Sequence, residues 1–206
     1  MKLVSEENKL VSWWPRTGDT LFASGLDWEA EAQVGWSSDS LLTYAIGYKD
    51  AADLLVASVE ARNLAADLAV YPICFLYRHH IELMLKGLIR LAYSLQSSAL
   101  EYPKNHKIEE LWRTCRPLLE EACPDGNQAD TDTVEKCIVE FASLDPSGEA
   151  FRYAEDKKGA STFPKITQFN LGNMRDVMNR LSGFLTGSFD YMDELLQHQA
   201  DMYSEY

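Results

Sequence analysis

The 206-residue chain has little of what the commoner kinds of site are built from. It holds four cysteines, at 74, 115, 123 and 137, with no CxxC pair or other metal-ligand spacing. Four scattered thiols in a chain of this size are expected to stay reduced, as in the cytoplasm. No apolar run reaches membrane-spanning length. The opening MKLVSEENKL carries acids where an export signal needs an apolar core, so a cytoplasmic protein free of membranes is expected. HExxH, a phosphate-binding glycine loop, GxGxxG and a nucleophilic triad are all missing, which argues against zinc-protease, P-loop, dinucleotide-fold and serine-hydrolase readings. No cofactor and no metal are expected. Basic residues are scarce too: 19 Lys and Arg face 32 Asp and Glu, for a net charge of −13. Such a balance opposes non-specific attraction to DNA or to anionic lipid.

The few cations are unevenly placed. Residues 71–107 hold five Lys/Arg against two acids, and residues 151–170 hold four against two. The remainder holds 10 basic and 28 acidic residues. Local positive charge is therefore confined to two stretches, which also carry the unusual motifs.

Length and ordinary hydrophobic content suit one domain with an appended arm. Residues 1–37 lack periodicity and contain Trp13, Trp14, Trp28 and Trp36. So much aromatic surface is expected to lie on the rest of the chain or on a second subunit. Residues 38–206 read as helical. A helix is expected over about 40–68, separated from the next by Val70, Tyr71 and Pro72, because the residue before proline is pushed out of the helical region. The next, YPICFLYRHHIELMLKGLIRLAYSL, covers 71–95 with Pro72 in its first turn. Asn105 is expected to cap a helix over 106–121, and another runs over 132–144. Residues 146–169 have no helical period, and 151–153 and 167–169 read as short strands of a hairpin. A last helix over 171–202 places Met174, Met178, Leu181, Leu185, Met192 and Leu195 on a coiled-coil-like seam. At 1.5 Å per residue it spans roughly 50 Å, long enough to suggest that part of it meets a second subunit. The fold class expected is all-α: an up-and-down bundle of four to five helices, a long C-terminal helix, and an irregular or hairpin insertion near 146–169.

Within 71–95, Arg78, Glu82, Lys86 and Arg90 follow at steps of four, with His79 and His80 between the first two. One reading is structural: i, i+4 ion pairs worth a few tenths of a kcal/mol each, and a core histidine at 80. The other is that His79, Glu82 and Lys86 line a groove where histidine exchanges protons and cations hold phosphate. His106 opens a helix, where the dipole disfavours its protonation. Arg152, between Phe151 and Tyr153, joins the groove if its side chain turns back towards Arg78. His79 and Glu82 at i, i+3 with His106 form a weaker metal alternative.

FLYRHHIELMLKGLI, the later HKIEELW and the stretch LDPSGEAFRYAEDKKG resemble HEPN (higher eukaryote and prokaryote nucleotide-binding) domains, over about residues 40–200. The resemblance implies a helical bundle, usually a homodimer. It is found among ribonucleases of toxin–antitoxin and antiphage systems, with cognate protein partners, and among non-catalytic binding domains. The ribonucleases carry an arginine and a later histidine with four to six residues between them; this chain has no such pair, so the catalytic assignment does not carry over. The expectation is a HEPN-like protein that binds a nucleotide or RNA through Arg78, His79, Glu82, Lys86, His106 and Arg152, leaning towards no catalysis. The alternatives are a metal-independent ribonuclease using Arg78, His79 and His106, and a dimeric interaction scaffold.

Overall fold

The computed structural model describes residues 39–163, 165 and 167–204 and, in the N-terminal arm, 15, 17–22, 25 and 28–37. The chain divides into two compact units, Met1–Trp36 and Ser37–Tyr206. In the first, a 3-10 turn spans Trp28–Ala30, and the Gly25 amide donates to Glu31. Trp13, Trp14 and the side chain of Trp28 lie outside the described residues; Trp36 is 71% exposed.

The second unit is an all-α bundle: α1 (Ser40–Glu60), α2 (Ala66–Leu95), α3 (Ile108–Ala122), α4 (Gln128–Leu144) and the long α5 (Leu171–Ser204). Its centre is α2, which packs against α1, α3 and α5. Ile73, Tyr77, Ile81, Leu85 and Leu88 recur at three- and four-residue steps and are fully buried. Each such aliphatic side chain contributes about 1.5–3 kcal/mol when removed from water.

The α1–α2 boundary differs from the expected one. Helix α1 stops at Glu60 in a Schellman motif: the Arg62 amide bonds Val59 O and the Asn63 amide bonds Ser58 O, with Arg62 at φ +61°. Pro72 lies inside α2 rather than at its start. Its missing N–H leaves the Leu68 carbonyl without a helical donor, but Leu68 is exposed and water can serve that oxygen. Asn105 is not the cap residue of α3, whose cap position is Lys107; its Oδ1 instead accepts from the Lys107 amide at 2.9 Å. Helix α4 begins four residues early, at Gln128, because the Asn127 side chain accepts from Ala129 N.

Among the described residues no strand forms; 146–169 is irregular, with one bridge between Glu155 and Ser161. The hairpin strands expected at 151–153 and 167–169 are absent. Arg152 and Tyr153 both bond back to Glu149 O, which makes the triplet a turn. Phe151 is therefore buried against Phe141 and Phe169 while Tyr153 faces solvent.

Helix α5 runs beside α2 from end to end. Cys74 Sγ approaches Met174 Sδ to 3.8 Å at one end, and Gln199 reaches Leu95 O at the other. The 34 residues of α5 thus lie beside the 30 of α2. Loop 96–107 doubles back after α2, so α3 starts level with Glu82 and ends level with Gln96, where Gln96 Nε2 bonds Glu121. That return positions the site.

Candidate functional site

Glu82 lies near the middle of α2, with 2% of its surface exposed. An isolated carboxylate there would be costly, and four side chains compensate it. Lys86 Nζ, one turn on, reaches Oε1 at 2.8 Å. Loop 96–107 delivers His106, whose Nδ1 lies 2.9 Å from the same oxygen. Arg78 Nη1 and His79 Nδ1 face Oε2 at 3.5 and 3.9 Å. Burial pushes the Glu82 carboxyl up, but His79, Lys86 and His106 outweigh it and hold the group down to about 2. Glu82 is thus an anion at any physiological pH, and an ionised carboxylate only accepts hydrogen bonds. His106 must therefore donate from Nδ1, which turns Nε2 outward from a side chain 68% exposed.

Arg78 is the most deeply buried cation of the cluster, at 2% exposure. Its Nη2 donates to His106 O at 2.7 Å, fixing the loop backbone as Glu82 fixes the ring. Its Nε donates to Asp145 O at 3.1 Å and faces Asp145 Oδ2 at 3.4 Å. Asp145, fully buried where α4 ends, also accepts from the Ala150 amide through Oδ1. Burial lowers the Arg78 pKa against the pull of Asp145 and Glu82. The segment after α4 passes so close that a Cβ at Gly148, where φ is +80°, would stand 2.6 Å from Arg78 Nη1.

Arg152 is exposed and turns back to this side. Its Nε donates to Gly148 O at 2.8 Å, and its guanidinium lies 5.7 Å from the centre of the Phe75 ring. Phe75 stacks on His79 at 5.7 Å and 11°, and Tyr48 of α1 meets His79 edge-on at 4.6 Å. Lys86, 10% exposed at its side chain, lies under the Tyr102 ring of loop 96–107.

The fold therefore brings all six sequence-nominated residues to one face, but in two tiers. Arg78, Glu82 and Lys86 form a buried, mutually satisfied base. His106 and Arg152 stand out from it, with His79 half-covered between aromatic rings. Two cations directly on the carboxylate make Glu82 a poor metal ligand. His80 has turned away into the bundle, with Nδ1 donating to Ala45 O and Nε2 buried without a partner. Sequence reasoning missed Asp145 and Gly148, for which DPSG directly after a helix was the available signal. It missed Phe75 as well, one turn before His79. Tyr48 gave no signal, since only packing brings it here. No family model matches the chain, and no curated protein or solved structure matches it either.

Proposed function

We propose that the chain is a HEPN-like homodimer that binds a phosphate-bearing ligand, a nucleotide or RNA, on the His106 and Arg152 face. One observation carries the reading. A solvent-facing imidazole is held in a single tautomer by a buried carboxylate, itself braced by two cations. With Nδ1 committed to the Glu82 carboxylate, Nε2 is the ring atom left to meet a phosphate group. Arg152 supplies a second, permanently charged donor with fork geometry suited to phosphate. Arg78, named at first among the ligand residues, holds the scaffold instead.

The same pair favours a second reading, a metal-independent ribonuclease. Neutral His106 with an outward Nε2 lone pair fits a general base taking a proton from a ribose hydroxyl, with Arg152 on the scissile phosphate. His106 suits that role better than His79, which is wedged between Tyr48 and Phe75.

A thermal-shift titration with AMP, GMP and inorganic phosphate tests the first reading. Bound ligand raises the melting temperature by mass action, and His106→Ala or Arg152→Gln removes the rise. A flat response at millimolar nucleotide contradicts it. Incubation with labelled RNA in EDTA tests the second: cleavage by the wild-type chain that His106→Ala abolishes supports it, and an intact substrate ends it. Light scattering reads the dimer.

A further inference from the structure

The rings around His79 belong to a longer series. Tyr44 and Tyr48, one turn apart on α1, lie 6.4 Å centre to centre. Tyr48 touches His79, His79 stacks on Phe75, and Arg152 lies over Phe75. On its other side the Arg152 guanidinium lies 5.3 Å from the Tyr153 ring. Six planar groups from three separate stretches of chain thus follow one another in steps of 4.6–6.4 Å. The two ends, Tyr44 and Tyr153, are 57% and 56% exposed, and the middle members are partly open. Exposed aromatic rings cost free energy in water, and a core would bury them.

We infer that this ladder is a stacking platform for a single-stranded nucleic acid, whose bases lie on the rings while its phosphates meet Arg152 and His106. The inference rests on the phosphate reading above and names its ligand class. Aromatic faces interleaved with cations suit unpaired bases, because every base has a π face and a duplex hides it. A sequence-tolerant, length-dependent ligand follows, and the acidic remainder of the chain keeps contact local to the ladder.

Fluorescence polarisation on the full chain tests this, with labelled U12 RNA and dT12 DNA, a 12-base-pair duplex, and AMP as competitor. The platform predicts that a 12-mer binds at least tenfold tighter than AMP and tenfold tighter than the duplex. Whichever sugar is preferred, binding of either single strand supports it. Tyr44→Ala and Tyr153→Ala should each weaken the 12-mer roughly 5- to 100-fold, the worth of one base stacked on one ring. Both variants, altered at exposed positions, should melt near wild type. If AMP binds but both variants hold the 12-mer as wild type does, or if the duplex binds equally well, the platform is wrong and the phosphate reading stands. If neither AMP nor any 12-mer binds, both fall. A dimer that Tyr44→Ala splits, with 12-mer affinity unchanged, makes the rings a subunit interface and overturns the inference.

Discussion

At the scale of single residues, the site depends on how closely the chain approaches the Arg78 guanidinium. Gly148 sits in the left-handed region, where a side chain is strained, and within reach of a charged group that cannot retreat. Arg78 is tied to His106 O, Asp145 and Glu82, so moving it breaks buried polar contacts. Gly148→Ala should cost roughly 1–3 kcal/mol. That lowers the melting temperature by roughly 2–12 °C for a chain of this size. Calorimetry of the purified variant reads it directly, and an unchanged midpoint means that the segment after α4 is not packed on Arg78. The sequence signalled the charged members of the cluster because helical spacing and local charge balance are properties of a string. It did not signal their burial. Helix phase alone turns His80 to the opposite side, towards α1, but only the return of loop 96–107 covers Arg78 and Glu82.

At the scale of elements, periodicity located α3 and α5 to within two residues and found α4 with its start four residues late. It misplaced the α1–α2 boundary. The reason is chemical: Arg62 occupies the left-handed position that glycine usually takes, so no stop signal was written there, while Pro72 wrote a false one. Ser97 at φ +51° closes α2 in the same way, with Ser97 N on Ser94 O and Ser98 N on Tyr93 O. Relieving the strain at 62 should stabilise the fold. Arg62→Gly is expected to add roughly 0.5–1 kcal/mol after the entropy of glycine is set against the left-handed penalty. Arg62→Val should do the reverse. Chemical denaturation of the pair reads both, and equal midpoints mean that α1 does not end in this motif. The hairpin reading of 146–169 failed for a related reason. Three alternating residues around Arg152 look extended, yet the amides of Arg152 and Tyr153 close onto Glu149 O.

At the scale of the whole molecule, two buried groups shape the response to acid, in different windows. Burial pulls His80 below its ordinary 6.5, against the Ala45 carbonyl, with Lys49, Asp53 and Asp50 of α1 facing it. The unfolded chain takes up that proton where the folded one refuses it, so stability is full above pH 6.5 and falls below it. Glu82 has the opposite history. Its folded value of about 2 lies under the ordinary 4.5, so its contribution is present above 4.5 and is lost between 4.5 and about 2. Urea unfolding from pH 8 to 3 should therefore show two successive losses. His80→Leu should flatten the first and leave the second, and a wild-type curve level from pH 7 to 5 contradicts the burial of His80.

The central claim is that a phosphate-bearing ligand meets this chain at the outward nitrogen of His106. The chain has four histidines, and each reports on a different place: His79 and His106 on the site, His80 inside the bundle, and His198 in the cleft where α2, α3 and α5 end. NMR of the imidazole resonances during an AMP titration reads all four at once. The account predicts that His106 shifts most, that His79 follows, and that His80 and His198 stay still. Saturating AMP that leaves His106 unmoved, or that moves His198 alone, contradicts it.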